Sequence, residues 1–72
     1  METVAQHVDG EKLRELRLTR LLTQRELGAR SGVAPETINR IENSNEPRST
    51  AVITVRKLAA ALQVDPSELL VD

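Results

Sequence analysis

The sequence predicts an all-α protein made of five short helices in one domain. One segment starts with a capping box and ends at a glycine that is placed to terminate a helix. Leucines recur at near-helical spacing in the segment before it, and two later segments carry proline at the first helical position. We expect a compact domain over residues 10–72, preceded by a mobile tail at residues 1–9 that shows no clear period.

The composition limits how such a domain can be stabilised. A chain of 72 residues lies near the lower size limit for folding alone, and it contains no cysteine. It therefore has neither a disulfide framework nor a thiolate metal site. Because the sequence also lacks Phe, Trp and Tyr, the core must be aliphatic, and aromatic stacking on single-stranded nucleic acid is excluded.

The first helix is indicated by leucine spacing. Leu13, Leu16 and Leu21 are placed to share one face of a helix over residues 10–21. Arg17 interrupts this apolar stripe, four residues from both Leu13 and Leu21. A charge that is buried or half-buried in this way must be paired.

The second helix is bracketed by its own start and stop signals. In the stretch TQRE, the Thr23 hydroxyl can accept from the Glu26 amide while the Glu26 side chain reaches back, which forms a capping box. The helix then runs to about Arg30, and Gly32 supplies the left-handed residue that ends it.

The remaining helices begin at proline or after a polar loop. Pro35 suits the first position of a third helix over about residues 35–43, and the polar loop NSNEPRST follows it. A fourth helix is predicted over about residues 51–62. In DPSELL, Asp65 is placed as an N-cap before Pro66, which predicts a short fifth helix and completes a fold without strands.

Helix 2, the tight turn and helix 3 form a helix-turn-helix. Gly28 lets the two backbones approach at their crossing, and Gly32 makes the turn. The side chains predicted to fill the angle between the helices are Leu27, Val33, Ile38 and Ile41.

The stretches LTQRELGARSGVAPETINRIEN and VRKLAAALQVDPSELL resemble the lambda-repressor-like (Cro/C1, XRE) helix-turn-helix family over about residues 11–70. The resemblance implies a five-helix domain that binds duplex DNA, usually as a dimer, with helix 3 as the recognition helix. The residues that it assigns to base reading are Pro35, Glu36, Thr37, Asn39 and Arg40. The residues that it assigns to DNA phosphates are Thr23, Gln24 and Asn43, and we also predict a phosphate contact for Arg48.

Helix 3 supports this assignment independently of the resemblance. Glu36, Asn39, Arg40 and Asn43 follow one another at i, i+3, i+4 and i+7, which is one stripe of a helix. These side-chain types can pair with base edges: Asn with adenine, Arg with guanine and Glu with the cytosine amino group. The alternative is a solvated polar face of an ordinary surface helix.

The simplest ion-pair partner for Arg17 lies on helix 3. Glu42 follows Ile38 at i+4 on the inward side of that helix, so Arg17 and Glu42 can form an ion pair that holds helix 3 against helix 1. The resemblance implies the same bridge. The competing interpretation is that Arg17 reaches a DNA phosphate.

The sequence favours a binding protein over an enzyme. Its only histidine, His7, lies in the predicted tail, and it shows no metal-ligand cluster and no phosphate-cradling glycine loop, so we expect no cofactor and no metal. The N-terminal METVAQHVDG lacks the basic start and apolar run of a signal peptide, and no apolar run is long enough to span a membrane, which predicts a cytoplasmic protein.

The predicted function is that of a small transcriptional regulator, acting as a repressor by occupying a DNA operator. A homodimer is expected, because one short recognition helix reads few bases. The candidate dimer surface is Val52, Ile53, Leu69, Leu70 and Val71, although Leu69 and Leu70 could instead close the core. The net charge of −1 keeps a second hypothesis open, in which the same fold binds a protein partner, for example as an antitoxin.

Overall fold

The computed structural model describes residues 5–44 and 48–71, and the side chains of 6–44 and 49–71. Its elements, in chain order, are strand β1 (Ala5–Val8), helices α1 (Gly10–Thr19), α2 (Gln24–Ser31) and α3 (Pro35–Glu42), strand β2 (Arg48–Ala51), helix α4 (Val52–Leu62) and a C-terminal 3-10 helix (Pro66–Leu69). The fold is therefore mostly helical, as predicted, but the described residues form four α-helices and a small sheet instead of five α-helices.

The prediction of a mobile tail over residues 1–9 is wrong for residues 5–9. Residues 5–8 form β1, which pairs antiparallel with β2 in a register that places Val8 opposite Arg48. The C-terminal segment adds a bridge from Leu70 to Val8, and the Val71 amide donates to the His7 carbonyl at 3.1 Å. Val8 is fully buried, so its burial against the core stabilises a strand that the local pattern does not show.

The predicted loop from 43 to 50 is also partly wrong, because residues 48–50 belong to β2. Residues 45–47 lie outside the described residues. The predicted fifth helix is present only as a 3-10 helix of four residues, with Asp65 accepting from the Ser67 amide at 2.9 Å as its N-cap. A segment of four residues that begins with proline suits the tighter 3-10 turn, which is used in short pieces.

Helix α1 ends earlier than the leucine spacing predicts. It stops at Thr19, and Leu21 lies in the left-handed region at φ 58°, with 88% of its surface exposed. Leu22 is the buried residue of this turn. At the other end, Asp9 caps the helix by accepting from the amides of Glu11 and Lys12, an N-cap that is not among the predicted helix starts.

The core is entirely aliphatic in the described residues and draws on β1, all four α-helices and the 3-10 helix. Its buried apolar members are Val8, Leu13, Leu22, Leu27, Val33, Ile38, Ile41, Val55, Leu58, Ala59, Leu62 and Leu69. The four residues predicted to fill the helix-turn-helix angle are all among them. In the described part of the chain, no helix has the length and apolar character needed to cross a membrane.

Candidate nucleic-acid interface

The helix-turn-helix is held by local hydrogen bonds at both ends of α2. The Thr23 hydroxyl accepts from the Glu26 amide at 3.0 Å, and the Glu26 carboxylate accepts from the Thr23 amide at 2.8 Å, so the predicted capping box is confirmed. The hydrogen bond from the Thr23 backbone lowers the pKa of Glu26 below its ordinary value. Gly32 ends the helix in the left-handed region at φ 77°, as predicted.

Gly28 permits the close approach of α2 and the start of α3. A β-carbon at this position would lie 2.8 Å from the Val33 carbonyl oxygen and 3.0 Å from the Pro35 Cγ. Such distances are shorter than ordinary van der Waals contact. A larger residue would therefore displace the turn and, with it, the first residues of α3.

Helix α3 presents two different faces. Ile38 and Ile41 are buried in the core. The predicted stripe of Glu36, Asn39, Arg40 and Asn43 is exposed, while the base-reading candidates Pro35 and Thr37 are half-buried. The helix begins with Pro35 at its first position, and Ala34 before it makes no side-chain cap. The orientation of α3 is therefore set by the packing of its buried face and by contacts at its C-terminal end.

The predicted ion pair provides that contact. Arg17 Nε lies 2.7 Å from Glu42 Oε2, and Arg17 Nη2 lies 2.9 Å from Glu42 Oε1, which is the bidentate arrangement. Arg17 Nη1 also donates to the Leu22 carbonyl oxygen at 2.7 Å. The two side chains are only 10% and 2% exposed. The pair ties α1 and the following turn to the end of α3.

The hydrogen bonds to Glu42 shift the protonation equilibrium of Arg17. The bond to the carboxylate is the largest contribution and raises the pKa of Arg17, burial opposes it, and the charge attraction adds to it. The ion pair with Glu42 therefore favours the charged form of Arg17. Since this guanidinium is buried and occupied by Glu42 and Leu22, the competing interpretation of Arg17 as a phosphate contact loses its support.

A chain of side-chain amides extends from the ion pair to the exposed stripe. Gln24 Nε2 donates to Glu42 Oε1 at 3.2 Å and to Asn39 Oδ1 at 3.3 Å. Asn43 Nδ2 donates to the same Asn39 oxygen at 2.6 Å. The sequence does not indicate these bonds, because contacts between polar side chains at the surface leave no periodic signal. We call Arg17, Glu42, Gln24, Asn39 and Asn43 the polar network.

The predicted site residues that do not belong to the polar network include Thr23, Arg40 and Arg48. Thr23 is exposed at the start of α2, beside Gln24. Arg40 lies at a groove of about 260 Å³ between α3 and β2, which is also lined by the hydroxyl-bearing residues Thr37, Ser49, Thr50 and Thr54. The Arg48 side chain lies outside the described residues. The structure thus brings most of the predicted DNA contacts onto one side of α3.

The candidate dimer surface is only partly exposed. Leu69 is fully buried and belongs to the core, so the prediction that it lies on a dimer surface is wrong. Val52 and Leu70 are half-buried. Ile53 and Val71 remain 58% and 40% exposed. Over the described ranges, no group of three or more His, Asp or Glu side chains is placed to hold a metal ion.

The fold and this surface define a helix-turn-helix domain. Residues 13–69 match the sequence model of the family HTH_3, described as Helix-turn-helix. The chain belongs to this family, the lambda-repressor-like (Cro/C1, XRE) helix-turn-helix proteins.

Two relatives are similar over most of the chain. One is the uncharacterized HTH-type transcriptional regulator RghRB of Bacillus subtilis (strain 168), which is 41% identical over 61 residues, or 85% of this chain and 43% of that protein. The chain therefore spans less than half the length of this curated relative. The other is the crystal structure of the restriction-modification controller protein C.AhdI from Aeromonas hydrophila, with a TM-score of 0.76 and 34% identity, covering 85% of this chain and 89% of that one.

A further structural likeness concerns part of an enzyme. The structure of the E176H variant of 2-hydroxyethylphosphonate dioxygenase matches 90% of this chain with a TM-score of 0.75 and 30% identity. The match covers only 15% of the dioxygenase chain. It shows that the same fold occurs as a small part of a larger protein, whereas the family and the relatives named above are helix-turn-helix regulators.

Proposed function

We propose that the protein binds duplex DNA in a sequence-specific manner and regulates transcription as a repressor, by occupying an operator in the cytoplasm. The observation that carries the proposal is the exposed stripe Glu36, Asn39, Arg40 and Asn43 on a helix whose opposite face is buried. In this arrangement α3 enters the major groove while the rest of the domain holds it there.

The base-reading roles follow from side-chain chemistry. Arg40 can donate two hydrogen bonds to a guanine, and Glu36 can accept from the amino group of a cytosine. Asn39 lies between them on the exposed stripe. Pro35 and Thr37 are half-buried at the first turn of α3, where they contact the groove wall or a thymine methyl group.

The proposed phosphate contacts lie at the start of α2, at the end of α3 and at the start of β2. The first amides of α2 have no acceptor within the helix, and the helix dipole favours an anion there, so Thr23 and Gln24 stand beside a phosphate. Asn43, at the end of α3, and Arg48, at the start of β2, contact phosphates further along the strand.

Two copies of the domain act together in this proposal. Half-sites about 34 Å apart on the duplex would each receive one recognition helix. Within the candidate dimer surface, Ile53 and Val71 are exposed and available for contact between the two copies. We also propose that the domain has no catalytic activity, since its one histidine, His7, is exposed in β1.

The test is a selection of binding sites from a random duplex library, followed by gel shifts of the selected site and a scrambled duplex at stated salt concentrations. We expect enrichment of a two-fold symmetric site, with specific affinity at least about 1,000-fold above that for the scrambled duplex. A footprint limited to one half-site, with no symmetry, would contradict the dimer. Equal binding to both duplexes would contradict sequence-specific recognition.

A second candidate function is binding to a protein partner, as an antitoxin would. The net charge of −1 favours it, because it provides no overall attraction to DNA. Purification of the chain from its own organism discriminates the two proposals. Recovery of a stoichiometric second protein, together with no binding to any duplex, supports the second function.

A further inference from the structure

We propose that Gln24 and Asn43 are positioning residues that hold Asn39 as a hydrogen-bond donor, and that the domain therefore selects guanine over adenine at the base facing Asn39. The inference rests on the proposed DNA-binding function and deepens it by assigning a preference to one position of the site. It is carried by the polar network that links the buried ion pair to the exposed stripe.

The side-chain carbonyl oxygen of Asn39, Oδ1, already accepts two hydrogen bonds within the domain. It accepts from Asn43 Nδ2 at 2.6 Å and from Gln24 Nε2 at 3.3 Å. An amide oxygen has two lone pairs, so these two bonds use its acceptor capacity. The exposed Asn39 side chain is left with the two N–H groups of its Nδ2 atom to offer to a ligand.

The side chain of Gln24 is committed in the same way. Its Nε2 atom carries two hydrogens, which go to Asn39 Oδ1 and to Glu42 Oε1. Glu42 is in turn fixed by the bidentate bond from Arg17. The phosphate contact at the start of α2 then belongs to the backbone N–H groups, and the Gln24 side chain acts on Asn39.

This arrangement changes which base Asn39 can read. Adenine presents the acceptor N7 and the N6 amino donor, so the usual bidentate pairing needs a free amide oxygen on the asparagine. Guanine presents two acceptors, N7 and O6. With its oxygen occupied, Asn39 can donate from Nδ2 to either guanine acceptor, N7 or O6, whereas the amino group of an adenine would face a donor and lack a partner.

The experiment measures base preference for the full chain by site selection and by affinity for duplexes that differ at one base pair. The variants are Gln24→Met, which keeps the length of the side chain and removes its donors, Asn43→Ala, and the two combined. Each is also made in an Asn39→Ala background. Arg30→Gln, at the exposed far end of α2, is the matched control. Thermal melting establishes that each variant is folded.

The wild type and Arg30→Gln should prefer guanine at the one position whose preference is lost in Asn39→Ala. The combined variant frees the Asn39 oxygen and should change the guanine-to-adenine affinity ratio toward adenine by at least about fivefold. In the Asn39→Ala background the same substitutions should leave that ratio unchanged. Asn43→Ala alone should shift it part of the way, and it leaves the contacts of Glu42 intact.

Two sets of results would overturn the inference, and they are distinguishable. If the wild type binds a defined site with adenine at the Asn39-dependent position, or if the shift persists without Asn39, the positioning role is wrong and the proposed function stands. If no duplex is bound above the level of a scrambled sequence, both proposals fail.

Discussion

The recognition unit and the strand pair of this domain are stabilised in different ways. The recognition unit, which is α2, the turn and α3, is joined to α1 by the buried ion pair between the Arg17 guanidinium and the Glu42 carboxylate. In the strand pair, β1 and β2 are joined by backbone hydrogen bonds, and the buried Val8 anchors β1 to the core. The position of α3 thus depends on specific polar side chains, whereas the strand pair depends on apolar burial.

The difference separates substitutions into two groups. Changes in the polar network should alter both stability and DNA recognition, because the same atoms hold α3 and contact the exposed stripe. Changes at the buried position of β1, Val8, should alter stability alone. The predictions below test this separation, beginning with the largest expected effect.

Removing one member of the ion pair should have the largest effect. Arg17→Ala or Glu42→Ala should lower the free energy of unfolding by roughly 3 to 5 kcal/mol, because each leaves an uncompensated buried group. Arg17→Ala also deprives the Leu22 carbonyl of its donor. Denaturant unfolding measures the loss, and a domain of this size can fail to fold when the loss is that large.

The matched control replaces both charges, as Arg17→Met combined with Glu42→Leu. This double variant should be more stable than either alanine variant, since apolar replacement of a buried pair is often nearly neutral. Alanine variants that melt within error of the wild type would show that the ion pair does not hold α3.

In the strand pair, Val8→Ala should lower the free energy of unfolding by about 2 kcal/mol, because it creates a cavity where the buried valine side chain packs. His7→Ala, at the exposed neighbouring position, is the control and should change stability by less than about 0.5 kcal/mol. Affinity of the folded Val8→Ala variant for its DNA site should equal that of the wild type. A change in the base preference of the Val8→Ala variant would show that the strand pair also affects DNA recognition.

At the turn, Gly32→Ala should cost about 1 kcal/mol or slightly more, because the residue lies at φ 77° and a β-carbon there is disfavoured although it meets no neighbour. Gly32→Asn should cost less, since asparagine enters the left-handed region more readily. Equal stabilities for all three proteins, measured by thermal melting, would remove the backbone argument for this glycine.

The smallest effect is expected at Glu26, which is exposed. Its pKa is lowered in the folded state by the hydrogen bond from the Thr23 backbone, so it contributes stability above its unfolded pKa of about 4.3 and loses it as the pH falls through the folded value. Glu26→Gln should therefore flatten the acid limb of the melting temperature below about pH 4.3. An acid limb identical to that of the wild type would contradict the capping role.

The recognition unit could be predicted from the sequence because its signals are local or conspicuous. The capping box at Thr23 and the left-handed Gly32 are readable within a few residues, and Arg17 stands out as a charge among leucines. The pairing of β1 with β2 joins residues about 40 positions apart, and short strands carry little pattern of their own. Leucine spacing could not show that the chain turns before Leu21, which exposes it and buries Leu22.

The proposed function requires the exposed stripe of α3 to read bases in duplex DNA. Its most direct test is the affinity of the wild type and Arg40→Ala for the selected site and for a scrambled duplex across a salt series. We expect Arg40→Ala to weaken specific binding by about 1 to 3 kcal/mol and to relax the preference at one G·C pair, with scrambled binding little changed. Equal losses on both duplexes would show that Arg40 contacts the backbone and that the stripe does not read bases through it.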